Sequence, residues 1–184
     1  MRLRLPAGYH ADAAIDVKRS RFIATIARVE DEDAARAVIA EVRRAHQTAR
    51  HHCSAFIVEV PGGRPIERSS DDGEPAGTAG MPMLDVLRGA GLTQVVAVVT
   101  RYFGGVLLGT GGLVRAYSDA VQTALDAAPR VQVIERSAFS IVVEHEHFGR
   151  VQAQLLRAGI DIVDVDYSAV VQLTVLAGCS ADVE

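Results

Sequence analysis

The stretch that decides the fold runs from Gln94 to Ala128 and reads "QVVAVVTRYFGGVLLGTGGLVRAYSDAVQTALDAA". Its first seven residues are mostly β-branched and apolar, which is typical of a strand covered on both faces. A glycine-rich connection follows. From Leu113 onward, apolar residues recur at helical spacing along one stripe, and Pro129 would stop the helix. The stretch therefore predicts a buried strand, a glycine-rich turn and a helix packed on the core.

The rest of the chain divides by its hydrophobic periodicity into strands and helices. Before the deciding stretch we predict strands at "SRFIATIARV" and "CSAFIVEV" and helices at "DEDAARAVIAEVRRAH" and "MPMLDVLRGAG". After Pro129 the composition shifts. There we predict a strand with a polar break at Glu135–Ser137, a helix closed by Gly159, and a hairpin made of "IDIVDVDYS" and "VVQLTVLA". The final "SADVE" reads as the start of another helix. A domain boundary is expected near residues 130–137, which gives domains 1–133 and 134–184.

The composition bounds the class of protein. The chain has 184 residues, of which 49% are hydrophobic, and a net charge of -4. Mixed charge argues against a generic nucleic-acid coat, although a local basic site stays possible. We see no secretory signal and no apolar stretch of membrane-spanning length. Cys53 and Cys179 are far apart and form no CxxC pair, so we expect reduced thiols, a cytoplasmic location and no membrane association.

The glycine-rich connection is the strongest local signal for a binding site. It fits neither G-x-G-x-x-G nor the Walker pattern. A glycine loop that leads from a buried strand into a helix nevertheless presents free backbone N–H groups to an anion. Arg101 and Arg115 flank it, and an anion nearby would offset the unfavourable contact of Arg115 with the helix dipole. Alternatively, the glycines only shape a tight turn. They are Gly104, Gly105, Gly109, Gly111 and Gly112.

The acidic loop "SSDDGEPAGTAG", from Ser69 to Gly80, could supply that anion. Carboxylates this close together repel, so they either face solvent or have a cationic partner. Arg101 and Arg115 are the candidate partners. The acids and arginines would then form either a structural network or a site in a shared cleft. The spacing does not fit a calcium loop, so no metal and no cofactor is expected. The acids are Asp71, Asp72 and Glu74.

The histidines and the tail acids give weaker signals. Neighbouring strand residues point to opposite faces, so His51 and His52 are not expected to share a metal, and Cys53 is expected to be a small core residue. His145 and His147 would share a face only if their segment were extended, and two ligands do not make a zinc site. Acids alternate with apolar residues near the C-terminus, as on the wet face of a sheet, at Asp161, Asp164 and Asp166.

Four motifs between Lys18 and Tyr117 closely resemble the Impact/YigZ family of uncharacterised proteins. They are "KRSRFIA", "ARHHCSAF", "SDDGEPAGTAGMPML" and "VVTRYFGGVLLGTGGLVRAY". The resemblance implies an α+β protein of two domains, the first like domain 2 of ribosomal protein S5 and the second ferredoxin-like. The ferredoxin-like pattern is β-α-β-β-α-β. Because the chain stops after "SADVE", we expect that domain to lack its last helix and strand.

For function the resemblance implies a link to translation. Eukaryotic relatives act as translational regulators that compete for a ribosome-associated activator of a starvation-sensing kinase, while bacterial relatives have no firmly assigned activity. The pair of folds also looks like two domains of elongation factor G, which suggests ribosomal RNA or translation partners, by fold analogy only. The shared motifs bring no catalytic assignment. They cover Asp71, Asp72, Gly73, Glu74, Arg101, Tyr102, Gly104, Gly105, Gly109, Gly111, Gly112, Arg115 and Tyr117.

Three hypotheses follow, and the sequence leaves the oligomeric state open. The first is a non-catalytic regulatory binding protein whose Arg/Gly-rich cleft binds RNA, the ribosome or a translation-associated protein. The alternative is a small-molecule hydrolase with Asp72 or Glu74 as general base, aided by Asp71, with Arg101 as electrostatic stabiliser and Tyr102 or a histidine as acid. The third is a protein-interaction module that uses the acidic second domain.

Overall fold

A computed structural model describes residues 3–134 and 136–178 of the chain. The chain divides into two compact units, Met1–Val133 and Ile134–Glu184, which are described separately. Glu135 of the expected polar break, Cys179 and the "SADVE" segment lie outside the described residues.

The first unit holds a five-stranded sheet, a short two-stranded ladder and three helices among its described residues. The strands are β1 (Leu3–Arg4), β2 (His10–Val17), β3 (Ser20–Arg28), β4 (His51–Val58), β5 (Ile66–Ser70), β6 (Val95–Tyr102) and β7 (Val131–Gln132). The helices are α1 (Glu32–Ala45), α2 (Gly80–Gly89) and α3 (Thr110–Asp126). The large sheet has the order β2-β3-β6-β4-β5 with every pair antiparallel, and β1 pairs with β7.

Strand β6 lies at the centre of the sheet and is covered on both faces, which confirms the prediction from its β-branched run. Its residues Val95–Val99 have no exposed surface. Alternate residues serve two cores: Val95 and Val99 pack in the cluster that includes α2 and α3, while Val96 and Val98 pack in the cluster that includes α1. This alternation continues to the end of the strand and decides where Arg101 and Tyr102 point.

Several boundaries differ from the sequence prediction, each for a physical reason. Strand β2 was not predicted, because its sequence "HADAAIDV" gives an edge strand with few large apolar residues. Strand β5 was not predicted, because it is a short polar edge strand, and its last two residues are the first two of the acidic loop. Helix α3 begins at Thr110 rather than Leu113. The N–H groups of a helix's first turn have no acceptor within the helix, and two glycines are tolerated in that turn.

The second unit has the predicted order β-α-β-β. It consists of β8 (Arg136–Val143), α4 (His145–Arg157), β9 (Asp161–Tyr167) and β10 (Val171–Gly178), with β10 between the other two strands and antiparallel to both. Its core centres on Val171, Leu173 and Val175. The α+β class with two domains is confirmed. The described order matches the first four elements of the ferredoxin-like pattern. The ferredoxin-like fold of the whole domain stays a prediction.

The features predicted for the second unit fall on its surface. Asp161, Asp164 and Asp166 are exposed on β9, as expected for the wet face of a sheet. His145 and His147 are exposed at the start of α4, so their segment is not extended and the condition for a shared face is not met. Across the described residues, the helices are too short or too polar to cross a membrane.

Candidate functional site

A buried acid–arginine–tyrosine cluster joins the acidic loop to the end of β6. Arg101 Nη1 donates a hydrogen bond of 2.6 Å to Glu74 Oε1, and the Tyr117 hydroxyl donates one of 2.8 Å to the same oxygen. The side chains of Arg101 and Glu74 are only 7% and 4% exposed. The acidic loop therefore meets Arg101, as the sequence predicts, but the contact is buried and closed.

Aromatic rings complete the surroundings of Arg101. Its guanidinium carbon lies 5.5 Å from the ring centroids of both Phe22 and Phe103, within the range of cation–π attraction. Phe22 also packs edge-to-face on Tyr117, with ring centroids 5.2 Å apart. Arg101 Nε has no hydrogen-bond partner among the described atoms. Because a buried charge is costly without a partner, Glu74 is the group that makes this position tenable.

Cys53 lies beside this cluster as an inert thiol. Its Sγ is 3.0 Å from the Asp71 carbonyl oxygen, to which the thiol donates. Burial, with a further contribution from nearby carboxylates, raises the pKa of Cys53 to about 12. Burial and the neighbouring Cys53 and Glu74 also raise the pKa of Tyr117, which keeps its hydroxyl a neutral donor. Since the thiolate is the reactive form, Cys53 is a core residue, as predicted, and not a nucleophile.

Asp71 organises the start of α2. Its carboxylate accepts hydrogen bonds from the backbone N–H groups of Gly77, Ala79 and Gly80 at 2.8, 3.0 and 2.8 Å. Burial of the carboxyl group acts to raise its pKa, but these three hydrogen bonds outweigh it, and the pKa of Asp71 lies below its ordinary value of 3.8. Asp71 thus acts as a distant helix cap and not as a partner of Arg101 or Arg115.

We expect Asp71→Ala to lower the free energy of unfolding by about 1 kcal/mol at neutral pH, the usual effect of losing a helix cap. A carboxyl group with a lowered folded pKa stabilises the fold above its unfolded pKa. That stabilisation is lost as the pH falls below about 3.8 toward the folded value. Urea unfolding of both proteins should therefore show a difference that shrinks in acid. A difference that grows in acid would contradict this assignment.

Asp72 turns to the other face of the sheet. Its φ of 42° is in the left-handed region. Its carboxylate accepts a hydrogen bond of 2.7 Å from the His52 backbone N–H and forms an ion pair with Arg43 of α1. The expectation that Asp72 faces Arg101 is therefore wrong, because neighbouring residues of this turn supply different layers of the fold.

A second polar cluster lies on that α1 face. Tyr102 alternates with Arg101 along β6, and its hydroxyl oxygen is 2.9 Å from His46 Nδ1. His52 Nε2 is 3.1 Å from the His46 carbonyl oxygen. His51 lies on the Arg101 side of β4, with its Nδ1 2.8 Å from the Asp72 carbonyl oxygen. The two neighbouring histidines thus face opposite ways, as predicted, and Tyr102 is separated from Arg101.

Sequence reasoning missed several members of these clusters. Arg43 lies in α1, whose sequence reads as an ordinary amphipathic helix, and His46 is the C-cap residue that follows it. Tyr117 lies on the apolar stripe of α3 that was predicted to pack on the core, and it has no exposed surface. A buried tyrosine needs a partner for its hydroxyl, and that rule is the signal that points to Glu74.

The glycines have different reasons for being glycine. A Cβ on Gly104 would lie 1.9 Å from the Arg19 carbonyl oxygen, so only glycine fits there. Gly105 and Gly109 have φ values of 84° and 73°. Gly111 and Gly112 lie in the first turn of α3, where no side chain caps the free N–H groups. Arg115, the last of the residues predicted for the binding site, is exposed and makes no ion pair with any described residue.

The clustered acids are already engaged by protein groups. Glu74, Asp71 and Asp72 hold Arg101, the start of α2 and Arg43 respectively. In the described part of the chain, one group of three side chains is close enough to hold a metal: Glu144, Glu146 and His147. All three are exposed in the second unit, and none is a predicted site residue. The arrangement around Glu74 therefore holds the acidic loop against β6 and α3.

Comparison with known proteins assigns the family. Residues 18–125 match the family model of the Impact N-terminal domain. The IMPACT family member YigZ of Escherichia coli (strain K12) is 41% identical over 160 residues, which cover 87% of this chain and 78% of that protein. YvyE of Bacillus subtilis (strain 168) is 38% identical over 165 residues, covering 88% and 72%. A crystal structure of a hypothetical protein aligns with a TM-score of 0.68 at 39% identity, over 95% of this chain and 84% of the other. The chain belongs to the IMPACT family.

Proposed function

We propose that this chain is a non-catalytic regulatory binding protein linked to translation, acting in the cytoplasm. It binds RNA, the ribosome or a translation-associated protein. The observation that carries the proposal is the closed Glu74–Arg101–Tyr117 cluster, which fixes the acidic loop to β6 and α3 and leaves the Glu74 carboxylate buried and paired. Such a cluster suits a rigid binding surface better than a reaction centre.

The binding groups are the exposed ones next to that cluster. Arg101 is buried, so it supports the surface and does not itself contact a partner. Residues 18–21 form the two-residue turn between β2 and β3 and the start of β3, and residues 103–109 form the glycine-rich loop after β6. Gly104 N donates a hydrogen bond of 3.2 Å to Ser20 Oγ, so the two segments are neighbours. We call residues 18–21 and 103–109 the glycine-loop surface.

Charge and family both support this assignment. Lys18, Arg19 and Arg21 are exposed on the glycine-loop surface, and Arg115 is exposed on the helix that follows it. Cations and free backbone N–H groups suit phosphate or carboxylate. The resemblance to the Impact family, whose eukaryotic members act as translational regulators, supports the link to translation.

The hydrolase alternative receives less support from the geometry. Its proposed base Glu74 and stabiliser Arg101 bind each other in the core, while Asp72 and Tyr102 serve the opposite layer. A catalytic base has to reach a substrate proton within hydrogen-bond distance. The proposed residues do not converge on one open cavity.

Sedimentation with ribosomes tests the proposal. We expect the wild-type chain to sediment with ribosomes that keep their associated proteins, and we expect this binding to fall as salt rises. The Lys18→Glu/Arg19→Glu variant should bind several-fold more weakly. Arg150→Glu, a charge reversal in the second unit, is the matched control and should bind normally. Salt-washed ribosomes separate a ribosomal contact from an associated protein. Failure of the wild type to sediment with either preparation at low salt would overturn the proposal.

A further inference from the structure

The glycine-loop surface carries three cations at one end of the sheet. Lys18 and Arg19 form the tip of the β2–β3 hairpin, and Arg21 follows on β3. All three are exposed, and none forms an ion pair with a described residue. The nearest acid along the ladder is Asp16, the cross-strand neighbour of Arg21, and it makes no ion pair with Arg21 either. The cations are therefore available to a partner.

The same surface presents large apolar side chains. Phe103, Val106 and Leu107 are 50%, 37% and 83% exposed, while the next residue, Leu108, is 8% exposed and packs in the core. Gly104 is pressed against the backbone of Arg19. Leu107 is three residues from Gly104, so its Cα lies within about 11 Å of that contact. An anchored loop thus holds apolar groups beside the cations.

The hairpin tip is built from residues poorly suited to its backbone. Lys18 and Arg19 have φ values of 47° and 69°, in a two-residue turn that favours Asn-Gly. Long side chains in this region are strained, and such strain is typical of positions kept for function. The turn therefore presents two cations at the expense of local stability.

We propose that the glycine-loop surface docks an acidic, apolar segment of a partner protein. Carboxylates of that segment meet Lys18, Arg19 and Arg21, and its apolar side chains cover Phe103, Val106 and Leu107. The inference rests on the proposed function and narrows the partner to a protein.

The composition of the surface favours a protein over RNA. Sites for single-stranded nucleic acid combine a basic groove with several aromatic rings on which bases stack. Here the most exposed group is the aliphatic Leu107, and Phe103 already contacts Arg101. Protein interfaces combine an apolar centre with a polar rim and are rich in arginine. The arrangement of apolar loop and flanking cations matches that second description.

A random-peptide library displayed on phage and selected on the wild-type protein tests the inference. We expect the selected peptides to be rich in both acidic and large apolar residues. Leu107→Ser should weaken their binding about tenfold, which corresponds to the loss of one buried apolar contact. Lys18→Asn/Arg19→Gly should also weaken binding while raising the Tm, because it gives the turn its preferred residues. Loss of binding in that variant cannot then come from unfolding.

Matched controls in the second unit are Leu156→Ser, at an exposed apolar residue, and Arg150→Glu. Both should bind the selected peptides as the wild type does. Selected peptides without acidic enrichment, or peptides that bind Leu107→Ser as tightly as the wild type, would overturn the inference. So would a fluorescent oligouridine that binds the wild type and loses affinity in both variants while no peptide is selected. Ribosome sedimentation stays a separate readout, so failure of this inference can be told from failure of the proposed function.

Discussion

Gly104→Ala is expected to lower the free energy of unfolding by about 3 kcal/mol, the upper end of what overpacking costs. An added Cβ would lie 1.9 Å from the oxygen and 2.1 Å from the carbon of the Arg19 carbonyl group. Both are backbone atoms of a paired hairpin, so neither can rotate away. For a unit of this size the Tm should fall by roughly 10 °C. Thermal unfolding followed by circular dichroism measures the effect.

Two other glycines of the same segment serve as controls. Gly111→Ala meets no atom within 4 Å and needs no positive φ, so its Tm should stay close to that of the wild type. Gly105→Ala also meets no atom, but its φ of 84° should cost about 1 kcal/mol. Gly104 has no positive φ, so an effect there no larger than that at Gly105 would show that the clash with Arg19 is relieved by a small backbone shift.

Glu74→Ala is expected to cost about 3–5 kcal/mol, because it leaves the buried Arg101 guanidinium without its counter-ion. It also removes the acceptor of the Tyr117 hydroxyl. Denaturant unfolding measures the loss. In the milder variant Glu74→Gln the neutral amide keeps the shape and an acceptor, so the loss should be smaller.

A double variant separates the effect of the unpaired charge from the effect of the lost side-chain volume. Glu74→Leu/Arg101→Met replaces the pair by apolar groups, and such exchanges are often close to neutral. We expect it to be more stable than Glu74→Ala. Glu32→Gln, which breaks the exposed ion pair with Arg36, is the surface control and should cost only about 0.3–0.5 kcal/mol. If Glu74→Ala costs no more than this control, the buried pair contributes little to stability.

The fold could be predicted from the sequence where one periodicity dominates. The β-branched run of β6, the apolar stripe of α3 and the alternating β9 and β10 all point to one structure each, and all are present. Strands β2 and β5 could not be predicted in this way. Each lies at an edge of the sheet. Strand β2 alternates between exposed and half-buried residues, but two of its four inward residues are alanine, so its apolar signal is weak. Strand β5 is short and mostly polar.

The candidate site could be predicted only where the charges in the sequence themselves require a partner. The pairing of Glu74 with Arg101 follows from the need of clustered charge for a partner. The partners of Asp72 did not follow, because Arg43 comes from a helix almost thirty positions earlier and only the tertiary fold brings it near. The helix cap formed by Asp71 could not be predicted for the same reason. Its carboxylate accepts hydrogen bonds from backbone N–H groups six to nine residues later, which only the folded loop brings near.

The alternation of side chains at the end of β6 makes the strand sensitive to parity. Thr100 and Tyr102 belong to one layer and Arg101 to the other, so inserting or deleting a single residue upstream would exchange their environments. The Arg101 guanidinium would then lie beside His46 and His52, and the phenol ring of Tyr102 would lie beside Glu74. Length changes in even steps preserve the assignment of layers, and odd ones abolish it, whichever amino acid is involved.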